Sequence, residues 1–109
     1  MRAVRIGDLR HKLVLESETR LPDGGGGATV GWTPVAEVWA SVKPVSGEEK
    51  VMAEAITGQV SHLVVVRRRD GVTPAMRFRM ADRILAILSV LDLDERRRWL
   101  VCRCREENL

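Results

Sequence analysis

Tyrosine is absent, phenylalanine occurs once and tryptophan three times in 109 residues. A sheet that reads RNA by stacking bases needs several aromatics on one exposed face, so that class of binder is poorly supported. Cysteine is as scarce. Cys102 and Cys104 stand two apart in WLVCRCR. Neighbours two apart on a strand point the same way, at the long end of disulfide spacing, so no bridge is expected. A lone CxC lacks the further ligands of a zinc site. Two small buried apolar side chains in a reducing compartment is the expected state. There are two histidines, His11 and His62. Ser61 and His62 are adjacent on a strand and should face opposite ways, which excludes a nucleophile–base pair between them. Asp92 and Asp94 share one parity, but Asp94 enters a turn, where solvation or arginine pairing outweighs acid–base or cation chemistry. No enzyme activity, cofactor or metal is expected. No apolar run approaches the ~20 residues of a membrane helix. The opening MRAVRIGDLRHKL is charged throughout and is not a signal peptide, so residence in the cytosol is expected.

What the chain does have is arginine: fifteen against three lysines, balanced by fifteen acids to a net +3. Guanidinium suits carboxylate and phosphate partners. With so many acids present, acid–base pairing on a solvated surface is the plainer use.

The chain also has strands. HKLVLESET alternates, with Leu13 and Leu15 to one side and Lys12, Val14 and Glu16 to the other. LPDGGGGATVG follows, and Gly24, Gly25, Gly26 and Gly27 mark a mobile hairpin tip. No Gly-Lys-Ser/Thr follows them to make a phosphate loop. WTPVAEVWASVKP places Val38, Ala40 and Val42 on one face and Glu37, Trp39 and Ser41 on the other. Trp39 is thus either core of a closed barrel or an anchor for a neighbouring subunit. QVSHLVVVRRR is the strongest strand, and Asp70-Gly71 a turn. MRFRM sends Met76, Phe78 and Met80 inward and Arg77 and Arg79 outward. RILAILSVLDL has the near-continuous apolar run of a strand buried on both faces. WLVCRCRE closes the series.

Between the second and third strands lies SGEEKVMAEAITG. Ser46 and Glu49 form a capping box, Glu48 adds charge at the positive end of the dipole, and Val51, Met52, Ala55 and Ile56 fall at helical spacing. Gly58 is a stop signal. A short helix over Gly47–Thr57 is expected. The fold class is therefore mainly β: one domain over residues 1–109, a small antiparallel barrel or sandwich of about six strands with that helix inserted.

Taken in order, these segments resemble the phage head–tail joining family, the small head-closure or stopper proteins of long-tailed phages, prophages and gene transfer agents. The resemblance rests on Arg5-Ile6-Gly7-Asp8-Leu9-Arg10, on Val38-Trp39-Ala40-Ser41-Val42, and on Pro44 to Glu49. It continues through His62-Leu63-Val64 with its basic strand, Met76-Arg77, and Val90 to Arg96. Arg68 and Ile84-Leu85 depart from positions that are often aromatic in the family. The resemblance implies a barrel that assembles as a homo-oligomeric ring between portal or adaptor and the tail terminator or tube. That ring closes the DNA-filled head, after assembly in the bacterial cytoplasm. It implies that Ser46, Glu48, Glu49, Lys50, Met52, Glu54 and Ile56 form a gate or ring-contact segment. Trp32, Trp39 and Gly24 to Gly27 become subunit or tail contacts on this view. Arg67, Arg68, Arg69, Arg77 and Arg79 become interface residues or non-specific contacts to duplex DNA. A small basic barrel that binds single-stranded nucleic acid is the alternative.

Overall fold

The computed structural model describes residues 6–45, 60–93 and 97–107. A 3-10 turn, Ile6–Asp8, leads into six strands among the described residues: β1 His11–Pro22, β2 Ala28–Pro44, β3 His62–Arg67, β4 Arg77–Met80, β5 Arg83–Asp92 and β6 Trp99–Glu107. They close as β1-β2-β3-β6-β5-β4, with β4 returning to β1, and every pairing is antiparallel. Closure pairs the strands around the circle and removes the exposed edges that a flat sheet would leave. The expected helix over Gly47–Thr57 lies outside the described residues.

Alternation decides what fills the barrel. Leu13 and Leu15 on β1, Val64 and Val66 on β3, Phe78 on β4, Leu85 on β5, and Cys102 and Cys104 on β6 are all buried in one cluster. Met76 joins the same cluster, and Met80 packs against it. β5 is buried on both faces only at its start, where Ile84 and Leu85 are both enclosed; Leu91, near its end, is 46% exposed. The sequence expectation for β5 is thus correct for its first half. The cysteines are free and buried. Burial pushes the Cys102 thiol up to about 12 and the Cys104 thiol further in the same direction.

Two single-residue bulges shape the barrel. Leu15 pairs with Ala36 but Glu16 pairs with Pro34, which leaves Val35 as an extra residue in β2. Ile87 pairs with Cys104 but Ser89 with Arg103, which makes Leu88 extra in β5. Each bulge reverses side-chain parity beyond it. In β2 the outward set changes from Glu37 and Trp39 to Pro34 and Trp32.

Beyond the first bulge β1 and β2 leave the barrel. Ser17 to Pro22 pair only with Thr33 to Ala28, whereas β4 pairs with β1 only at Val14 to Glu16. The result is a two-stranded arm of six residue pairs, about 20 Å long at the usual strand rise. The glycines do form its tip, but the tip is shorter than the sequence suggests. Leu21, Pro22 and Ala28 to Gly31 belong to the strands.

Candidate assembly surfaces

The arm is held at its root by a cluster on the outer wall. Glu16, on the solvent-side parity of β1, is only 4% exposed. Its carboxylate accepts from Arg77 Nε at 2.7 Å and faces Arg79 Nε at 3.2 Å. The Arg77 guanidinium in turn lies 4.1 Å over the Trp32 ring. Cross-strand register explains the meeting, since Glu16 is opposite Arg77 and the bulge turns Trp32 to that side. A carboxylate between two guanidiniums, with one of them sandwiched on an indole, fixes the angle at which the arm departs.

The tip is a tight turn built on Asp23. Its Oδ1 accepts from the Gly25 and Gly27 amides at 2.8 and 3.2 Å. Gly24 and Gly26 sit at φ +83° and +87°, where a side chain is strained. A Cβ on Gly27 would approach Asp23 Oδ2 to 2.9 Å. Along the arm Thr19 and Thr33 share a hydroxyl hydrogen bond of 2.6 Å. Every residue from Leu21 to Val30 is exposed, including the large apolar Leu21 and Val30.

A second surface lies where β3 ends and β2 runs on past it. Arg67, Arg68 and Arg69 border a cleft of about 380 Å³, floored by Leu9 and Val38 and flanked by Glu37 and Trp39. Trp39 is 57% exposed, so of its two expected places it takes the outward one. Arg67 leans on the Trp99 ring at 5.8 Å, and Arg68 pairs with Asp70 at 3.3 Å. Arg69 Nε is buried without a hydrogen-bond partner. Leaving a cationic donor unmatched is costly unless something else supplies an acceptor.

A third cluster joins β3, β5 and β6. Arg83 grips Glu106 with two bonds, Nε to Oε2 at 2.7 Å and Nη2 to Oε1 at 3.1 Å. His62 Nε2 stands 3.9 Å from Glu106 Oε1. Ser61 Oγ is 2.9 Å from His62 Nδ1 and accepts the Glu106 amide at 2.7 Å. This corrects the sequence expectation that Ser61 and His62 point apart. Ser61 precedes β3, which begins at His62, so strand alternation does not govern its side chain. The hydroxyl accepts one amide and orients one imidazole, which ties together the ends of three strands. Burial holds the His62 pKa below its usual value, with Arg83 acting the same way against the opposing Glu106. The hydrogen bond from Arg83 holds Glu106 below the carboxylate range. His11 is exposed, and Asp92 accepts the Arg97 amide at 3.1 Å.

The structure therefore brings together Trp32, Arg77 and Arg79 in one place and Trp39, Arg67, Arg68 and Arg69 in another. Gly24 to Gly27 stand apart at the arm tip. Ser46, Glu48, Glu49, Lys50, Met52, Glu54 and Ile56 lie outside the described residues. Sequence reasoning missed Glu16, whose alternation reads as solvent-facing; its only signal is a carboxylate on a strand that must pair with an arginine-rich one. Among the described residues no group of three or more histidines, cysteines or acids could hold a metal ion. Among them, too, no helix is long and apolar enough to cross a membrane.

A closed antiparallel barrel with a braced, outward-reaching arm defines the class: a small six-stranded β-barrel. The family comparison is specific. The model for the phage head completion protein matches residues 4–107, and the chain belongs to that family. Among solved structures, a chain of the virion of a native gene transfer agent particle is 32% identical, with a TM-score of 0.67. The match covers 93% of this chain and 96% of that one. Protein SF1141 from Shigella flexneri 2a, solved in solution, is 25% identical with a TM-score of 0.76, over 94% of this chain and 96% of that one. A search of curated proteins returned no significant match. The protein is thus a structural component of the head-completion class, and the head–tail joining resemblance read from the sequence is correct.

Proposed function

We propose that this chain forms a ring of identical copies at the neck of a phage-like particle. The ring sits between portal or adaptor and the tail, closes the filled head and presents the surface on which the tail docks. The observation that carries this reading is the 32% identity, over nearly the whole chain, to a component of a gene transfer agent virion. A barrel of this size has a small core, and a ring repeats each modest contact around a closed circle, so assembly adds what the single copy lacks. Packaged duplex DNA would meet the ring through phosphates alone, since arginines on a wall contact backbone without reading bases. The inserted segment Ser46 to Thr57 is the part proposed to keep DNA in the head.

The test is complementation. Particles assembled without the chain should be tailless heads that release DNA, and adding the purified chain before tails should restore tailed, full particles. Normal particles in its absence would refute the reading. If instead the isolated chain binds single-stranded DNA with a steep salt dependence and no affinity for portal complexes, the small nucleic-acid-binding barrel is the better account.

A further inference from the structure

We infer that the β1–β2 arm of one copy seats in the Arg67–Arg69 cleft of another, so that the contact between copies is an arm in a cleft. The inference rests on the proposed self-assembly and names the two surfaces that carry it.

The arm is an incomplete structure by itself. A two-stranded ribbon is marginal in water unless something packs on it. Here six residue pairs stand clear of the barrel with both outer edges unpaired. Leu21 is 57% and Val30 53% exposed. Yet the arm is not left loose. Glu16, Arg77 and Trp32 brace its root, and Asp23 shapes its tip. Pre-set direction combined with exposed apolar side chains suits an element that is aimed at a receptor.

The cleft has the complementary character. It offers three guanidiniums and one carboxylate around an apolar floor, with the exposed Trp39 at its side. The arm carries two carboxylates and one guanidinium: Glu18 pairs with Arg20 at 3.0 Å, which leaves the tip Asp23 as its net negative charge. Arg67 and Arg68 are exposed where they border the cleft. An arm seated there brings backbone carbonyls from a free strand edge, and those are acceptors for these guanidiniums.

The arm cannot fill the cleft of its own chain. Glu37, Val38 and Trp39 line the cleft, and Ala28 begins the arm on the same strand, β2. Ten residues of extended strand hold them about 30 Å apart. The occupant must be a second copy. Arm and cleft are different surfaces, so the contact is head-to-tail, the kind that closes into a ring when its rotation permits.

The test is a cysteine pair in the full-length chain, Gly25→Cys at the tip with Glu37→Cys at the cleft. Gly25 has ordinary φ and room for a Cβ, and Glu37 makes only an exposed pair with Lys12. The native cysteines are buried, with thiols shifted far towards the protonated form, and stay out of the exchange. Oxidising the double variant at high concentration should give a covalent ladder that ends at a closed species. Mixing the two single variants should give disulfide dimers only between Gly25→Cys and Glu37→Cys chains. Separately, Leu21→Ser with Val30→Ser should weaken self-association at least tenfold without changing the monomer's melting temperature. A ladder that stops at a mutual two-copy exchange supports the arm-in-cleft contact and refutes the ring. Rings in the microscope without tip-to-cleft crosslinks overturn the arm inference and leave the ring standing. A chain that stays monomeric at every concentration overturns both.

Discussion

Replacing Glu16 by glutamine tests whether the arm is braced as described. The substitution keeps shape and removes charge. The Glu16 side chain is 6% exposed, that of Arg77 16% and that of Arg79 45%. Breaking a fully buried pair costs about 3–5 kcal/mol, but Arg79 is half in water and recovers most of its solvation. The Arg77 bond, short and charge-assisted, is worth about 1.5–3 kcal/mol; the exposed Arg79 pair adds at most about 1 kcal/mol. A loss of about 2–3 kcal/mol is expected. For a domain of this size each kcal/mol moves the midpoint by about 4–8 °C, so melting followed by circular dichroism should fall by about 8 °C or more. A double-mutant cycle with Arg77→Met should recover a coupling above about 1 kcal/mol. Trp32 packs on that guanidinium, so Arg77→Met should also shift tryptophan emission. A melting change under about 2 °C for Glu16→Gln, with no coupling to Arg77, would show that the carboxylate does not hold the root of the arm.

Acidification should weaken the fold in two steps, because both shifted groups at the β3–β5–β6 junction resist protonation when folded. His62 lies below the usual 6.5 of a histidine, so its share of stability is whole above that pH and declines as pH falls beneath it. Glu106 lies below 4.5 and contributes above that value, with loss as pH drops through its lowered folded pKa. His62→Asn should flatten the first step in a melting-versus-pH series and leave the second. Ala81 occupies φ 55°, a left-handed conformation that L residues adopt at a cost of about 1–2 kcal/mol. Ala81→Gly should therefore raise the melting point by a few degrees, and an unchanged or lower value would refute that strain. Phe78, fully buried at the centre of the core, should cost about 3–5 kcal/mol on truncation to alanine, read from urea midpoints. Deleting residues 47–57 should leave a cooperative thermal transition while complemented particles lose DNA; particles that retain DNA and accept tails would refute the role proposed for that segment.

The barrel was legible where alternation is uninterrupted. Met76, Phe78 and Met80 against Arg77 and Arg79 read directly as inside and outside, and so did Val38, Ala40 and Val42 against Trp39. Illegible were the features that depend on one residue out of step. Val35 looks like any strand valine, yet as the bulged residue it reverses everything before it and turns Trp32 onto Arg77. Without that reversal Trp32 shares the parity of Val38 and would point into the core. Glu16 reads as an exposed acid because single-sequence periodicity carries no information about what a distant strand places opposite; the partner is 61 residues away. Ser61 and His62 were misjudged for a simpler reason. Alternation holds only inside a strand, and the strand starts at His62, three residues later than the expected start at Gln59.

The distribution of arginine follows from the same topology. On the outer wall between β1 and β4, the Glu16 carboxylate is directly opposite Arg77 and is shared with Arg79. At the barrel end, Arg83 finds Glu106. At the end of β3 the Arg68 amide still bonds the Arg98 carbonyl, but the β2 stretch beside Arg67 to Arg69 offers one acid, Glu37; Arg67 settles on an indole and Arg68 on an exposed aspartate. Intramolecular register thus uses up one set of charges and leaves another facing outward, beside the one strongly exposed tryptophan among the described residues. Closing the barrel removed sheet edges, and extending β1 and β2 beyond it created two new ones on the arm. A chain shaped only to persist alone gains nothing from either feature, since a free edge invites pairing and clustered guanidiniums repel each other. Both become favourable when an identical neighbour supplies the missing side.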